Sequence, residues 1–322
     1  MRQDDRSAER NSISQMWRKG LAGGLAGCTA RTVVAPLERV KILFQTAHPG
    51  FVHHTTSRLA VLDALRTIQT SCGTQALFQG HSLTLLRTFP DAAINFLAYE
   101  QLRSALITAP DEDTPSRLFI SGSLAGAISM SCTYPLELIR VNLAFQSRPT
   151  SLVVIWNHIY RDGGLRTSAV ANFYRGYTPT LLATLPYAGM SFFAHDLIGD
   201  WFRSPFLASY TSLLPAEHMP SRLTKRIQLT APAELLSGAL AGMVAQTVSY
   251  PLEVIRRRMQ VSGMNGGHIS QAGIADTART ILVERGIRGF YVGLTIGYIK
   301  VVPMVATSFF VYDRLKWYLG VY

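Results

Sequence analysis

Charge is scarce in this chain, and acid is scarcer than base: 16% of the 322 residues are charged, with 20 Asp and Glu against 31 Lys and Arg. So little charge, beside 48% hydrophobic residues and a slightly positive mean hydropathy, argues against two or three ordinary soluble domains and for a membrane protein. The surplus of +11 and the pI of about 9.8 call for an anionic partner, whether nucleic acid, anionic lipid or anionic solute. Long apolar runs make nucleic acid the weakest of these. Cysteine is also sparse: Cys28, Cys72 and Cys132 lie far apart without CxxC spacing, so they read as small packing residues rather than metal ligands. Residues 1–15 are polar and carry Asp4, Asp5 and Glu9, which fits neither a secretory signal nor an acid-poor presequence, so mitochondrial targeting would have to be internal. No phosphate-binding glycine loop, metal spacing or nucleophile triad sits in a suitable context, so neither an enzyme nor a cofactor is expected.

What the chain does have is a repeat. GLAGCTARTVVAPLERVKILFQ from Gly24, GSLAGAISMSCTYPLELIRVNLAFQ from Gly122 and GALAGMVAQTVSYPLEVIRRRMQ from Gly238 align, each with LAG followed by proline nine residues after its glycine: Pro36, Pro135 and Pro251. Further on, each copy has an aromatic-x-Gly pair (Phe78 with Gly80, Tyr174 with Gly176, Tyr291 with Gly293) and then a second apolar segment. A bilayer-spanning helix needs about 20 mainly apolar residues. The stretches Leu118 to Leu136 and Gly176 to His195 contain no Asp, Glu, Lys or Arg. Three units of two helices give an all-α membrane protein of six spans, with both termini on one side. The repeats are set at 16–108, 114–203 and 231–320, with a polar extension at 1–15 and a proline-bearing loop at 204–230 facing the opposite compartment from the surface helices. Those three short surface helices are expected near Arg58 to Thr70, Leu152 to Tyr160 and Ile274 to Val283. The prolines should kink the odd-numbered helices. Gly20 with Gly24, Gly23 with Gly27, Gly122 with Gly126 and Gly238 with Gly242 should let helices approach closely.

Ionisable residues at membrane depth usually mark a pathway or a partner, and here they form three tiers. The first follows each proline, acid at +2 and base at +5: Glu38 with Lys41, Glu137 with Arg140, Glu253 with Arg256. If each acid meets the base of the next copy, Glu38 pairs with Arg140, Glu137 with Arg256 and Glu253 with Lys41, closing one end of a cavity. Independent snorkelling of these charges is the alternative, but it does not require the fixed order. The second tier, at the ends of the even helices, holds Glu100, Arg103, Asp196, Asp313 and Lys316. There Arg103 could pair with Asp196 and Glu100 with Lys316, whereas Gly199 stands where the middle copy owes a base, leaving Asp313 over. The third tier breaks the symmetry: Arg31, Arg87 and Lys300, with Asp91 nearby, and Ala183 followed by Thr184 at the middle-copy position. Three cations around a water-filled cavity would hold phosphates, and the small Ala183 and Thr184 would leave room for a flat base or chain. Pairing of Arg87 with Asp91 is the competing reading.

PLERVK, PLELIR and PLEVIR resemble the signature of the mitochondrial carrier family, three times over from about Gly20 to Trp317. CTYPLELIRVNLAFQ, LPYAGMSFF and QTVSYPLEVIRRRMQ are most similar to its coenzyme A carriers, the Graves disease carrier type and its fungal relatives. The resemblance implies a threefold pseudo-symmetric barrel of six tilted transmembrane helices in the inner mitochondrial membrane, both termini on the intermembrane-space side, working by alternating access between a matrix and a cytosolic gate. It implies that Gln45 and Gln260 brace the matrix gate and Tyr99 and Tyr312 the cytosolic one. It implies further that Arg87, Ala183 with Thr184, and Lys300 are substrate contacts, that Arg31 contacts phosphate, that cardiolipin is a lipid partner and that the protein is a monomer. Leu43, Gln79, Val292, His195 and Gly199 depart from the family pattern, as do extra residues between Gly163 and Tyr174. Transport of coenzyme A or a closely related adenine nucleotide is the expectation. The rivals are an ATP-magnesium/phosphate or ADP/ATP carrier and, from another class, a non-transporting membrane scaffold.

Overall fold

The computed structural model describes residues 2–51, 59–106, 115–161, 169–204, 206–211, 229–265 and 273–320. Among them every regular element is helical: α1 (Arg2–Gln45), α2 (Ala60–Cys72), α3 (His81–Leu106), α4 (Pro115–Phe145), α5 (Leu152–Arg161), α6 (Ala169–Asn172), α7 (Tyr177–Phe202), α8 (Ala208–Thr211), α9 (Ala231–Val261), α10 (Ile274–Arg285), α11 (Leu294–Ile299) and α12 (Val301–Tyr318). Most of the loop at 204–230, with its three prolines, lies outside the described residues.

Repeat chemistry sets the element boundaries. The motif prolines lie inside α1, α4 and α9. A second proline follows each aromatic-x-Gly glycine by ten residues: Pro90 in α3, Pro186 in α7 and Pro303 in α12. Proline brings no N–H and its ring crowds the carbonyl four residues back, which for Pro303 is that of Ile299. The third even-numbered span is accordingly interrupted at Lys300, between α11 and α12. Gly80, Gly176 and Gly293 have φ of +84°, +76° and +85°, a left-handed turn that side chains disfavour, so glycine is what lets each copy turn into its second long helix. At Gly80 a Cβ would also stand 2.9 Å from the carbonyl oxygen of Arg140.

The short helices α2, α5 and α10 occupy the places expected of surface helices. Each buries one face through an i, i+4 pair: Ala64 and Ile68, Ile155 and Ile159, Thr277 and Ile281. Ile155 and Ile159 pack with Leu83, Leu138, Ile139, Leu143 and Phe173. Ile281 packs with Tyr250, Val254 and Ile255.

Two compact units emerge. The first contains Met1–Arg175, Gln260–Ser270 and Thr295–Tyr322, and within it α3 lies against α4 and α1 against α12, the first and last long helices of the chain. Arg18 Nη1 also donates to the carbonyl of Leu319 at 3.1 Å. The second unit contains Gly176–Met259 and Gln271–Leu294, where Phe202, Leu229 and Ala233 form a small core with Ile198, Leu207 and Leu240.

The glycine pairs do not make close helix contacts. A Cβ on Gly20, Gly23, Gly24, Gly27, Gly122, Gly126, Gly238 or Gly242 would meet no atom within 4 Å. The buried small residues lie beside them instead: Ala22, Ala26 and Ala30 on α1, Ser121, Ala125 and Ser129 on α4, Ser237, Ala241 and Ala245 on α9. Small-xxx-small packing is therefore present, with alanine and serine in the contact positions. Outward the long helices are apolar and exposed: Phe89, Phe96, Phe192, Phe193, Val302 and Phe310 are all more than half accessible. Large apolar side chains exposed in such number suit lipid rather than water. The stretch Ile287–Tyr318 is, by length and composition, apolar enough to cross a membrane.

Candidate functional site

In the first unit the charged residues of α1, α3, α4 and the α11–α12 break converge. Register explains why: Arg87 and Asp91 are i, i+4 on α3, Thr133 and Glu137 are i, i+4 on α4, and Glu137 and Arg140 are i, i+3. Glu137, only 2% exposed, accepts from Arg87 Nη1 at 2.6 Å and lies 3.4 Å from Arg140 Nη1. Arg140 reaches on to Glu38 through Nη2, and the other oxygen of Glu38 lies 3.2 Å from Lys300 Nζ. At the opposite end Arg87 Nη2 stands 3.8 Å from Asp91 Oδ2.

The result is one alternating chain, Lys300, Glu38, Arg140, Glu137, Arg87, Asp91, of three bases and three acids. Sequence spacing put Arg87 and Lys300 in a tier apart from the proline-motif acids. The structure joins them: both cations reach past their own tier to Glu137 and Glu38. Arg87 thus pairs with Asp91 and, at closer range, with Glu137. Asp91 is steadied separately, its Oδ1 accepting from Ser129 Oγ at 2.6 Å and Thr133 Oγ1 at 3.3 Å.

Beside this chain is a cavity of about 270 Å³, lined by Arg31, Glu38, Thr84, Arg87, Thr88, Asp91, Arg140 and Met304. Arg31 donates to Thr88 Oγ1 and, among the described residues, has no carboxylate partner. Because the six-membered chain is neutral in sum, Arg31 gives the cavity wall its surplus positive charge. Such a wall attracts anions, and its guanidinium groups can each offer two parallel donors to a phosphate.

Of the expected matrix-side pairs, Glu38 and Arg140 meet in this unit. Lys41 is buried on α1, and Glu253 and Arg256 are half-buried on α9 in the second unit. Gln45 is buried, and Gln260 donates through Nε2 to Tyr134 Oη at 3.0 Å while its carbonyl accepts from Asn142 at 3.1 Å. Ala183 and Thr184 lie on α7 in the second unit, with Thr184 Oγ1 bonded to the carbonyl of Thr180 at 3.0 Å.

At the ends of the even helices the charges are more exposed. Glu100 and Lys316 make no ion pair with each other among the described residues. Lys316 Nζ instead lies 5.5 Å from the centre of the Tyr312 ring, while Glu100 and Asp313 are exposed and Tyr99 is half-buried. Arg103 is exposed on α3 and Asp196 exposed on α7. His195, also on α7, lies 3.6 Å from Glu234 and 3.3 Å from Ser237 Oγ.

Two residues that sequence reading passed over complete the motif. Tyr134 and Tyr250, each immediately before a motif proline, are fully buried. Tyr134 donates to the carbonyl of Arg175 at 2.8 Å and stacks on Tyr174, and Tyr250 donates to the carbonyl of Val292 at 3.1 Å and stacks on Tyr291. Each tyrosine ties the proline of one long helix to the start of the next. The signal was present as YPLE in the second and third copies, against APLE in the first.

Comparison with known proteins agrees with this architecture. The mitochondrial carrier protein family profile matches residues 13–110, 111–206 and 228–322. Mitochondrial carrier protein LEU5 of Saccharomyces cerevisiae is 47% identical over 98% of this chain and 94% of its own length. Human solute carrier family 25 member 16 is 37% identical over 93% and 87%, and the maize mitochondrial carrier protein CoAc2 35% identical over 93% and 85%. Repeat, motif and full-length similarity coincide: the chain belongs to the mitochondrial carrier family, a transporter of the mitochondrial inner membrane and not an enzyme.

Proposed function

We propose that this carrier moves coenzyme A by alternating access between two charged gates. The observation that carries the reading is the joining of Lys300 and Arg87 to the gate acids Glu38 and Glu137 beside a cationic cavity. An entering polyphosphate competes with those two carboxylates for the same cations. Each carboxylate that gives up one of these cations keeps Arg140 and loses part of its pairing, so binding of the anion and loosening of the gate are one event. Before the solute arrives, the same pairs hold the gate shut.

The full scheme has six tilted spans around a threefold axis and both termini in the intermembrane space. Its matrix gate is completed by Glu137 with Arg256 and Glu253 with Lys41, braced by Gln45 and Gln260. The cytosolic gate uses Glu100, Arg103, Asp196, Asp313 and Lys316 with Tyr99 and Tyr312. Ala183 and Thr184 complete the substrate contacts, and anionic lipid, cardiolipin included, is the lipid partner of a monomer. The motif wording shared with coenzyme A carriers supports the substrate, as does the similarity to a maize relative named CoAc2.

A second reading, an ATP-magnesium/phosphate or ADP/ATP carrier, draws on the same cations, because guanidinium groups read phosphate and not the pantetheine arm. Uptake of labelled coenzyme A into liposomes, competed by ATP, ADP and dephospho-coenzyme A, separates them. Saturable uptake that unlabelled coenzyme A displaces at lower concentration than ATP, ADP or dephospho-coenzyme A supports the proposal. Absence of saturable coenzyme A uptake refutes it, and uptake of no solute at all would favour a scaffold.

A further inference from the structure

The second copy departs from the other two at the end of its even-numbered helix. Three residues beyond the acid, the first and third copies have a base, Arg103 after Glu100 and Lys316 after Asp313, whereas Asp196 is followed by Gly199. That place is not empty. Gly199 is buried, and a Cβ on it would lie 2.8 Å from Nη1 of Arg203 and 3.7 Å from its Cζ. Arg203 is the residue that ends α7, its N–H bonded to the carbonyl of Gly199 at 3.1 Å. A helical side chain leans back over the turn preceding its own Cα, and residues four apart share a face. The guanidinium accordingly folds onto the bare backbone of Gly199, four-fifths buried, with Asp200 Oδ1 3.6 Å from Nη1.

We propose that Arg203 supplies, from one turn further along α7, the positive charge that the second copy lacks at Gly199, and that glycine at 199 is what admits the guanidinium there. The assignment rests on the two-gate reading of function: by the repeat rule the charge at this place serves the cytosolic gate. It replaces the expectation that this gate is one base short. A side chain at 199 and the guanidinium of Arg203 are alternatives for one place. Arginine at a helix end can also merely favour the helix dipole and its last carbonyls, and the test must separate that role.

The test compares wild type, Arg203→Ala, Arg203→Gln, Arg203→Lys and the double variant Gly199→Lys/Arg203→Ala in liposomes, measuring coenzyme A exchange rate and unfolding temperature. Arg203→Ala and Arg203→Gln should slow exchange about threefold, the scale of a partly screened ion pair, with Arg203→Lys and the double variant within about twofold of wild type. The glutamine variant keeps the length and stands in if the alanine variant misfolds. Wild-type rates in both neutral variants overturn the assignment, as does a loss of rate that the double variant fails to restore. Wild-type protein that takes up no anionic solute overturns the carrier reading, and the assignment with it.

Discussion

Glu137 carries the most consequence of any single side chain, because its carboxylate sits between two guanidinium groups with almost no access to solvent. Glu137→Gln leaves Arg87 and Arg140 facing each other across a neutral amide, and stability should fall by about 3 to 5 kcal/mol. Thermal unfolding measures that loss, and exchange should be lost with it. On the proposed function Arg87→Ala and Lys300→Ala should each abolish most uptake, since each removes a cation proposed to hold phosphate and leaves its acid, Glu137 or Glu38, short of one cation with Arg140 remaining. On the proposed function Arg31→Ala should raise half-saturation for coenzyme A about tenfold, the worth of one charge-assisted hydrogen bond, with a small change in unfolding temperature because, among the described residues, Arg31 otherwise holds only Thr88. An Arg31→Ala protein with unchanged half-saturation would remove Arg31 from the solute site. At this scale the residue types were legible in the sequence, because acid at +2 and base at +5 recur in all three copies. Their joining into one chain was not, since it depends on how far Arg87 and Lys300 extend from neighbouring helices, and spacing says nothing of reach.

Helix boundaries follow from a few residues whose backbone demands cannot be met otherwise. Gly80→Ala places a side chain at φ +84° and 2.9 Å from the Arg140 carbonyl, and should destabilise by about 1 to 3 kcal/mol. Slower exchange should accompany it, because Arg140 is itself a member of the charged chain. Tyr134→Phe keeps the stacked ring and loses the bond to the Arg175 carbonyl, for a loss of about 1 kcal/mol in unfolding experiments. The places of α2, α5 and α10 could be read from short apolar periodicities. The glycine pairs misled for a physical reason: glycine permits close approach without requiring it, and the alanines and serines one position away face the neighbouring helix instead. Pro90, Pro186 and Pro303 were as periodic as the motif prolines but sit outside any charged motif that draws the eye.

For the molecule as a whole, the decisive feature is that the first and last long helices, α1 and α12, lie together in one unit. Threefold repetition was the most legible property of the sequence, and it set the family before any coordinates. Substrate identity was least legible, since phosphate-binding cations are common to many anion carriers. The claim that most needs testing is that transport depends on the Glu38–Arg140 pair. Coenzyme A exchange in liposomes should be measured for Glu38→Arg, Arg140→Glu and the double charge swap. The account predicts near-complete loss in each single variant and a small but measurable recovery in the swap, because the pair is restored while a base at 38 now faces Lys300 and an acid at 140 faces Glu137. Single variants that exchange at the wild-type rate would contradict it.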